Sequence, residues 1–213
     1  MMIDKELEMK EWVLSVLLKT TNQDYYKFQQ ELLVEREKIR QQMYDSIENK
    51  QTSNSAKYNN ISENTLIGKN VMIWHLTYVG DNVEIGDDSK IGSLTHVDYD
   101  VKIGKNTKIE GQVYIPPKTV IGNDCFLGPG VVLTNDLYPM SEKMIGVTVE
   151  DGAIIGAGSV IRPGVTIGKN SVVAMGSIVT KDVPEGVVVM GNPAMYVYSR
   201  DVYDKKREEY EQS

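Results

Sequence analysis

ISENTLIGKNVMIWHLTYVGDNVEIGDDSKIGSLTHV, residues 61–97, sets a period of six that the chain keeps almost to its end. Every sixth residue is a branched aliphatic: Ile61, Ile67, Ile73, Val79, Ile85, Ile91, Val97, Ile103, Ile109, Ile115, Ile121, Leu127 and Leu133. Ten residues (139–148) interrupt the run, and the phase resumes at Val149, Ile155, Ile161, Ile167, Val173 and Val179. The fifth position of each block is nearly as strict, from Thr65, Val71 and Thr77 through Cys125 and Val131 to Ser177 and Val183, with Leu137 assigned to it just before the interruption. A fixed short period is the mark of a solenoid, and this one predicts a mainly β fold in which three hexads close one three-sided coil of a β-helix. The branched residue fills the coil, the fifth fits near a corner, and positions two to four turn the chain. Each branched residue contributes about 1.5–3 kcal/mol gross on burial, so the repeat builds its core without disulfides or metal.

Outward from that stretch, 213 residues leave room for one solenoid and its appendages. Residues 1–60 read as an N-terminal helical extension and linker, 61–194 as the β-helix, and 195–213 as a C-terminal helix. Leu7, Trp12, Val13, Val16 and Leu17 fall at helical spacing within 3–18. Asn22-Gln23-Asp24 offers a cap for a second helix over 24–49, with Phe28, Leu32, Ile39, Met43 and Ile47 on one side. Residues 50–60 are a polar linker, and the charged run 200–212 predicts a short helix. A net charge of −7 argues against nucleic acid or an anionic membrane as the main partner. No apolar run reaches spanning length, and residues 1–20 carry acids where a signal peptide needs bases, so a cytoplasmic setting is expected. Cys125, the one cysteine, occupies an inward position and reads as core filler.

Residues eighteen apart stack from coil to coil, which lets the three corners be compared. One repeats Gly68-Lys69-Asn70, Gly86-Asp87-Asp88, Gly104-Lys105-Asn106 and Gly122-Asn123-Asp124, ordinary turn chemistry and a structural corner. The other two depart from it. One runs through Asp98-Tyr99-Asp100, Pro116-Pro117-Lys118, Thr134-Asn135-Asp136, Arg162-Pro163-Gly164 and Thr180-Lys181-Asp182. The second runs through Trp74-His75-Leu76, Gly92-Ser93-Leu94, Glu110-Gly111-Gln112, Gly128-Pro129-Gly130, Gly156-Ala157-Gly158 and Ala174-Met175-Gly176. Such departures from turn preference mark functional positions. The outward sixth positions after that second corner, Tyr78, His96, Tyr114, Val132, Val160 and Ile178, form an apolar stripe that predicts a cyclic homo-oligomer with ligand clefts between subunits.

The hexad run, the interruption after the fourth coil and the terminal TKDVPEGVVVMGNPA (180–194) resemble the hexapeptide-repeat acyltransferases. Within them, IWH (73–75) and GPGVVLTNDLYP (128–139) are similar to the nucleotide-sugar 3-N-acetyltransferases. The resemblance implies a left-handed parallel β-helix, a homotrimer, acetyl-CoA as donor, no metal, and an amino sugar or nucleotide-linked sugar as acceptor. The chain departs from the family in three places. The segment 134–148 has no histidine where many members carry a catalytic one. Ser93-Leu94 and Gly111-Gln112 stand where the nucleotide-sugar enzymes usually show Gln-Asn and Asn-Asn, and Met195 follows Gly-Asn-Pro-Ala in place of a base.

A neutral amine attacks a thioester without a strong base, whereas a sugar hydroxyl needs one. The missing loop histidine therefore favours an amine acceptor. Asp136, Asn135, His75 and His96 are the catalytic candidates; for Asp136 a corner-capping role, and for each histidine a packing role, stands beside the functional one. Gly128, Gly130, Gly156, Ala157, Gly158, Ala174 and Gly176 offer small surface for a pantetheine arm, and Arg162, Lys169 and Lys181 could meet coenzyme phosphates. Trp74, Tyr99, Gln112 and Tyr138 are acceptor-side candidates. A backbone N–H of the small-residue corner is the expected oxyanion donor. The alternatives are transfer to a sugar hydroxyl, a catalytically silent trimeric scaffold, and a γ-type carbonic anhydrase, which needs three histidines where this chain has two.

Overall fold

The computed structural model describes Glu31, Val34, Lys38 and residues 58–213. The expected N-terminal helices, 3–18 and 24–49, lie outside the described residues apart from those three, which are helical. The chain divides into Met1–Thr52 and Ser53–Ser213, and every element below belongs to the second unit.

Short strands of two residues turn through three parallel sheets in rotation, building a β-solenoid of about seven turns. Sheet A holds β1 (Asn60–Ile61), β4 (Tyr78–Val79), β7 (His96–Val97), β10 (Tyr114–Ile115), β13 (Val132–Leu133), β16 (Val160–Ile161) and β19 (Ile178–Val179). Sheet B holds β2 (Leu66–Ile67), β5 (Glu84–Ile85), β8 (Lys102–Ile103), β11 (Val120–Ile121), β14 (Thr148–Val149) and β17 (Thr166–Ile167). Sheet C holds β3 (Met72–Ile73), β6 (Lys90–Ile91), β9 (Lys108–Ile109), β12 (Phe126–Leu127), β15 (Ile154–Ile155), β18 (Val172–Val173), β20 (Val187–Gly191) and β21 (Ala194–Ser199). Each short strand is the sixth residue of one hexad, facing out, and the first of the next, facing in. The register steps by eighteen residues, as in Tyr78 to His96 to Tyr114.

From Ile73 onward the first-position residues are buried, while Ile61 and Ile67 in the opening coil are only partly so. Fifth positions are buried too, and their hydroxyls have a second task. Those of Thr77, Ser89, Thr95, Thr107 and Ser159 donate across to the second-position carbonyls of the following coil, at Gly92, Gly104, Glu110, Gly122 and Ala174. Such bonds contribute about 1 kcal/mol each and satisfy corner carbonyls that the strands cannot reach. The buried Thr119 and Ser171 hydroxyls lack a partner. Both stand where the regular coil is lost: Thr119 below the insertion, Ser171 where the Gly186 carbonyl accepts from the Arg200 N–H instead.

Outside the insertion, fourth positions between Asn70 and Gly176 take left-handed backbone, among them Asn70 (φ 56°), Asp88 (φ 62°), Leu76 (φ 59°), Leu94 (φ 62°) and Gln112 (φ 62°). At the corner between B and C this suits the residues present, and side chains add a ladder: Asn70 Nδ2 donates to Asp88 Oδ1 at 3.1 Å, and Asn106 Nδ2 to Asp124 Oδ1 at 2.7 Å. The Lys69 N–H donated to Asp87 holds that carboxyl below the usual range. A leucine in this region costs about 1–2 kcal/mol.

The structure corrects the bounds of the interruption. β11 pairs with β14 and β13 with β16, twenty-eight residues on, so ten residues are inserted as the period indicated. They leave the coil after Leu133, however, and rejoin it at Val147. Val147 is fully buried in the fifth position expected for Leu137, which is half-buried in the loop, and Thr148 already belongs to β14. Leu137 and Val147 lie ten residues apart and are both apolar, so periodicity alone fits either. The segment expected as a C-terminal helix opens with a strand: β20 and β21 form an antiparallel hairpin around Gly191–Ala194, and α1 (Arg200–Glu211) follows.

Burial raises the Cys125 thiol to about 11. The fold thus favours the neutral thiol: its contribution is present below the ordinary thiol range and is lost as pH rises through about 11. At pH 8 a disulfide reagent should label folded protein at least ~100-fold more slowly than guanidinium-unfolded protein. Comparable rates in the two states would mean that Cys125 is open to solvent.

Candidate active site

All but two of the candidate site residues singled out from the sequence lie on sheet A or on the two corners that border it, the two being Tyr138 and Lys169. The corner from C to A carries Trp74, His75, Gln112, Gly128, Gly130, Gly156, Ala157, Gly158, Ala174 and Gly176, and the corner from A to B carries Tyr99, Asn135, Asp136, Arg162 and Lys181, with Tyr138 in the loop that leaves it. His96 faces outward on β7 between them. Lys169 sits on the regular corner, where its N–H donates to Glu150 Oε2.

The corner from C to A changes character along the solenoid. Fourth positions run Leu76, Leu94, Gln112 and then Gly130, Gly158, Gly176, and no atom lies within 4 Å of where a Cβ would stand on those three glycines. From the fourth coil on, the fourth position of this corner is therefore bare backbone, beside the exposed third-position side chains of Pro129 and Met175. The N–H groups of Gly128, Gly130, Gly156, Gly158, Ala174 and Gly176 all donate to carbonyls of other turns, so of the small residues proposed from sequence only Ala157 keeps its N–H out of that ladder.

The opposite corner carries the inserted loop. Its base is closed by the Ile145 N–H donating to the Asn135 carbonyl at 2.8 Å. Asp136 organises the rest: Oδ1 accepts from the Tyr138 N–H and Oδ2 from the Ser141 N–H, both at 3.1 Å, while the Ser141 hydroxyl accepts from the Lys143 N–H. Asp136 is thus the capping residue that its position allowed. Tyr99 Oη reaches Met144 Sδ at 3.9 Å, tying the loop to the coil below. Tyr138 is well exposed. Sequence reasoning missed Ser141 and Met144; an Asp followed five residues later by Ser in a proline-containing loop was the available signal.

On sheet A, Tyr78 and His96 stack with centroids 4.5 Å apart and planes at 19°, and Tyr114 follows at 5.5 Å and 38°. Asp98 Oδ2 lies 3.7 Å from His96 Nε2. Desolvation, then the nearby charges of Asp98 and Tyr99, push the Tyr114 hydroxyl above its ordinary range. His75 is exposed on the corner. Arg162 Nη1 donates to the Thr180 carbonyl at 3.1 Å, and Lys181 is exposed nearby. Among the described residues, no group of three or more His, Cys, Asp or Glu is placed to hold a metal ion, and no helix is long and apolar enough to cross a membrane.

The sequence pattern of the family described as bacterial transferase hexapeptide (six repeats) matches residues 64–98 and 100–135, and that of the hexapeptide repeat of succinyl-transferase matches 144–181. A 2,3,4,5-tetrahydropyridine-2,6-dicarboxylate N-acetyltransferase of Staphylococcus carnosus is 54% identical over 63 residues, 29% of this chain and 26% of that protein. The match thus spans about a quarter of that relative's length. Among solved structures, a histidine-to-alanine variant of GDP-perosamine N-acetyltransferase from Caulobacter crescentus, in complex with CoA and GDP-perosamine, is 24% identical, with a TM-score of 0.46 over 75% of this chain and 64% of that one. WeeI from Acinetobacter baumannii is 30% identical, with a TM-score of 0.41 over 64% of this chain and 57% of that one.

The loop root supplies a test of this geometry. A Cβ on Gly146 would overlap the Lys118 carbonyl oxygen and crowd the Thr119 N–H, so the returning strand can enter only as glycine. Gly146→Ala should destabilise by about 1–3 kcal/mol in denaturant unfolding, and limited proteolysis should cut faster within 135–146. Gly130→Ala meets no atom and bears only its positive φ of 69°, so it should cost about 1–2 kcal/mol and leave the loop's protection unchanged.

Proposed function

Because the chain belongs to the hexapeptide-repeat transferase superfamily, we propose that it moves an acetyl group from acetyl-CoA to an amine of a sugar or nucleotide-linked sugar. The observation that carries the amine over the hydroxyl is the state of Asp136. Both of its oxygens accept backbone N–H groups of the loop it caps, so it is a loop-positioning residue rather than a poised base. The names of two similar proteins, an N-acetyltransferase of a cyclic imine dicarboxylate and a GDP-perosamine N-acetyltransferase, lie on the same side.

In this reading the active unit is a homotrimer that covers sheet A, and each cleft lies between the small-residue corner of one copy and the loop corner of the next. Pantetheine lies along Gly130, Gly158 and Gly176, whose missing side chains bare the corner, while the N–H groups of Gly128, Gly156 and Ala174 stay in the coil-to-coil ladder beneath it. Arg162 and Lys181 serve the coenzyme phosphates. Asn135 and the loop residue Tyr138 border the acceptor, with Trp74, Tyr99, Gln112, His75 and His96 as the further groups available to orient it. The neutral amine attacks the thioester carbonyl, its nitrogen–carbon bond forming as the carbonyl π electrons move to oxygen. That oxyanion is held by the Ala157 N–H, a donor of a kind worth roughly 2.7–4 kcal/mol to the transition state. Collapse expels the coenzyme thiolate, and the ammonium proton passes to it or to water.

If no strong base is needed, Asp136→Asn should lower kcat with an amine acceptor by no more than about tenfold, or about 1.4 kcal/mol. Asn keeps one acceptor oxygen but sets an amide against the Ser141 N–H, so the loss should appear mainly in KM. His75→Ala and His96→Ala should act through binding or assembly. A drop on the order of a thousandfold in any of the three, with coenzyme binding intact and a new pH dependence, would identify a general base and favour the hydroxyl acceptor.

A further inference from the structure

Leu76 and Leu94 are the two large apolar residues in a column that continues as Gln112, Gly130, Gly158 and Gly176. Both occupy left-handed backbone, φ 59° and 62°, and both are more than half exposed, at 56% and 53%. These are two separate penalties on the same side chains: a conformation suited to Gly, Asn or Asp, and apolar surface in water. The regular corner shows what the coil itself prefers at equivalent positions: Asn70, Asp88, Asn106 and Asp124. Leucine at Leu76 and Leu94 is therefore retained for something outside the coil.

The charge distribution selects the occupant. Leu76 and Leu94 precede Tyr78 and His96 by two residues, so their ridge runs directly into the outer surface of sheet A. The outward residues of that sheet, Asn60, Tyr78, His96, Tyr114, Val132, Val160 and Ile178, carry no fixed charge, whereas B presents Glu84 and Lys102 and C presents Lys90 and Lys108. Copies of a chain with a net charge of −7 repel one another, and the surface without fixed charges is where they meet at the lowest electrostatic cost. The His96 ring is flanked on both sides, stacked on Tyr78 at 19° and tilted against Tyr114 at 38°, and each tyrosine turns one side to it. A sugar ring needs an open aromatic face; a protein surface accepts edges.

We propose that Leu76 and Leu94 are contact residues between copies of this chain, so that the first three coils hold the neighbouring copy while the glycine column beyond them stays open for the coenzyme. This rests on the reading that copies assemble across sheet A.

The test is subunit exchange between two differently labelled preparations of the full chain, followed by fluorescence transfer. Leu76→Asn with Leu94→Asn relieves the backbone and removes the ridge; exchange should be at least ~10-fold faster than in the parent, equivalent to about 1.4 kcal/mol. Asp88→Asn is the control. Asp88 has the same left-handed backbone (φ 62°) and is exposed, but it lies on the corner between B and C, away from sheet A, and asparagine keeps the oxygen that accepts from Asn70; its variant should exchange at the parent's rate. Leu94→Gly, which any left-handed corner accepts, guards against a folding defect and should also accelerate exchange. Parental exchange in both leucine variants overturns the proposal while leaving assembly across sheet A intact. A parent chain that is monomeric at micromolar concentration by sedimentation overturns the assembly reading as well.

Discussion

The coil-to-coil hydrogen bond is the interaction on which everything else depends. Each strand offers two residues, and pairing at an eighteen-residue step fixes one as interior and the other as surface. The corner backbones approach one another so closely that a side chain on many second positions would strike the next coil's main chain, as at Gly156 beneath Met175. Nothing in such a lattice can be reshaped locally without a slip that would turn core residues outward. Chemistry is therefore confined to three places: outward columns, third and fourth corner positions, and insertions. The candidate site uses all three, and all border the same sheet.

Because each coil contacts chiefly its neighbours, stability accumulates along the axis rather than at a centre. Local defects are then tolerable. The orphaned hydroxyls of Thr119 and Ser171 stand where the coil is broken or ends, and each is a buried group left without its expected carbonyl. A desolvated hydroxyl of that kind costs about 1–3 kcal/mol, which a core running from Val71 to Val189 absorbs.

Much of this was legible in the sequence because the period is exact enough to stack residues on paper. The branched and small columns, the structural corner and the grouping of Tyr78, His96 and Tyr114 required only counting. What counting could not reach has physical reasons. Leu137 and Val147 satisfy the phase equally, and the choice fell to the one whose neighbour, Gly146, can pass the Lys118 carbonyl. For Asp136 the sequence allowed a base and a cap alike; only the positions of the Tyr138 and Ser141 N–H groups reveal that both of its oxygens accept backbone hydrogen bonds. β21 escaped because Met195, Tyr196 and Val197 are exposed on an edge and show no alternation.

The same constraint is the physical reason for proposing an amine as acceptor. A general base must be held by a supporting group at a fixed angle, and solenoid corners offer few side chains in layers behind one another; here Asp136, the loop carboxylate beside the corner, accepts two N–H groups of the loop with its two oxygens. What a stack of corners supplies readily is backbone: repeated N–H and C=O groups at fixed spacing, bared where side chains shrink to glycine. Backbone donors stabilise a developing oxyanion and align amides, and both effects are electrostatic and positional. An acceptor that carries its own nucleophilic lone pair needs little more. The shrinking of the column from Leu94 and Gln112 to Gly130 thus marks the point along the axis where the surface passes from side chains to main chain, and where the proposed acyl transfer would be placed.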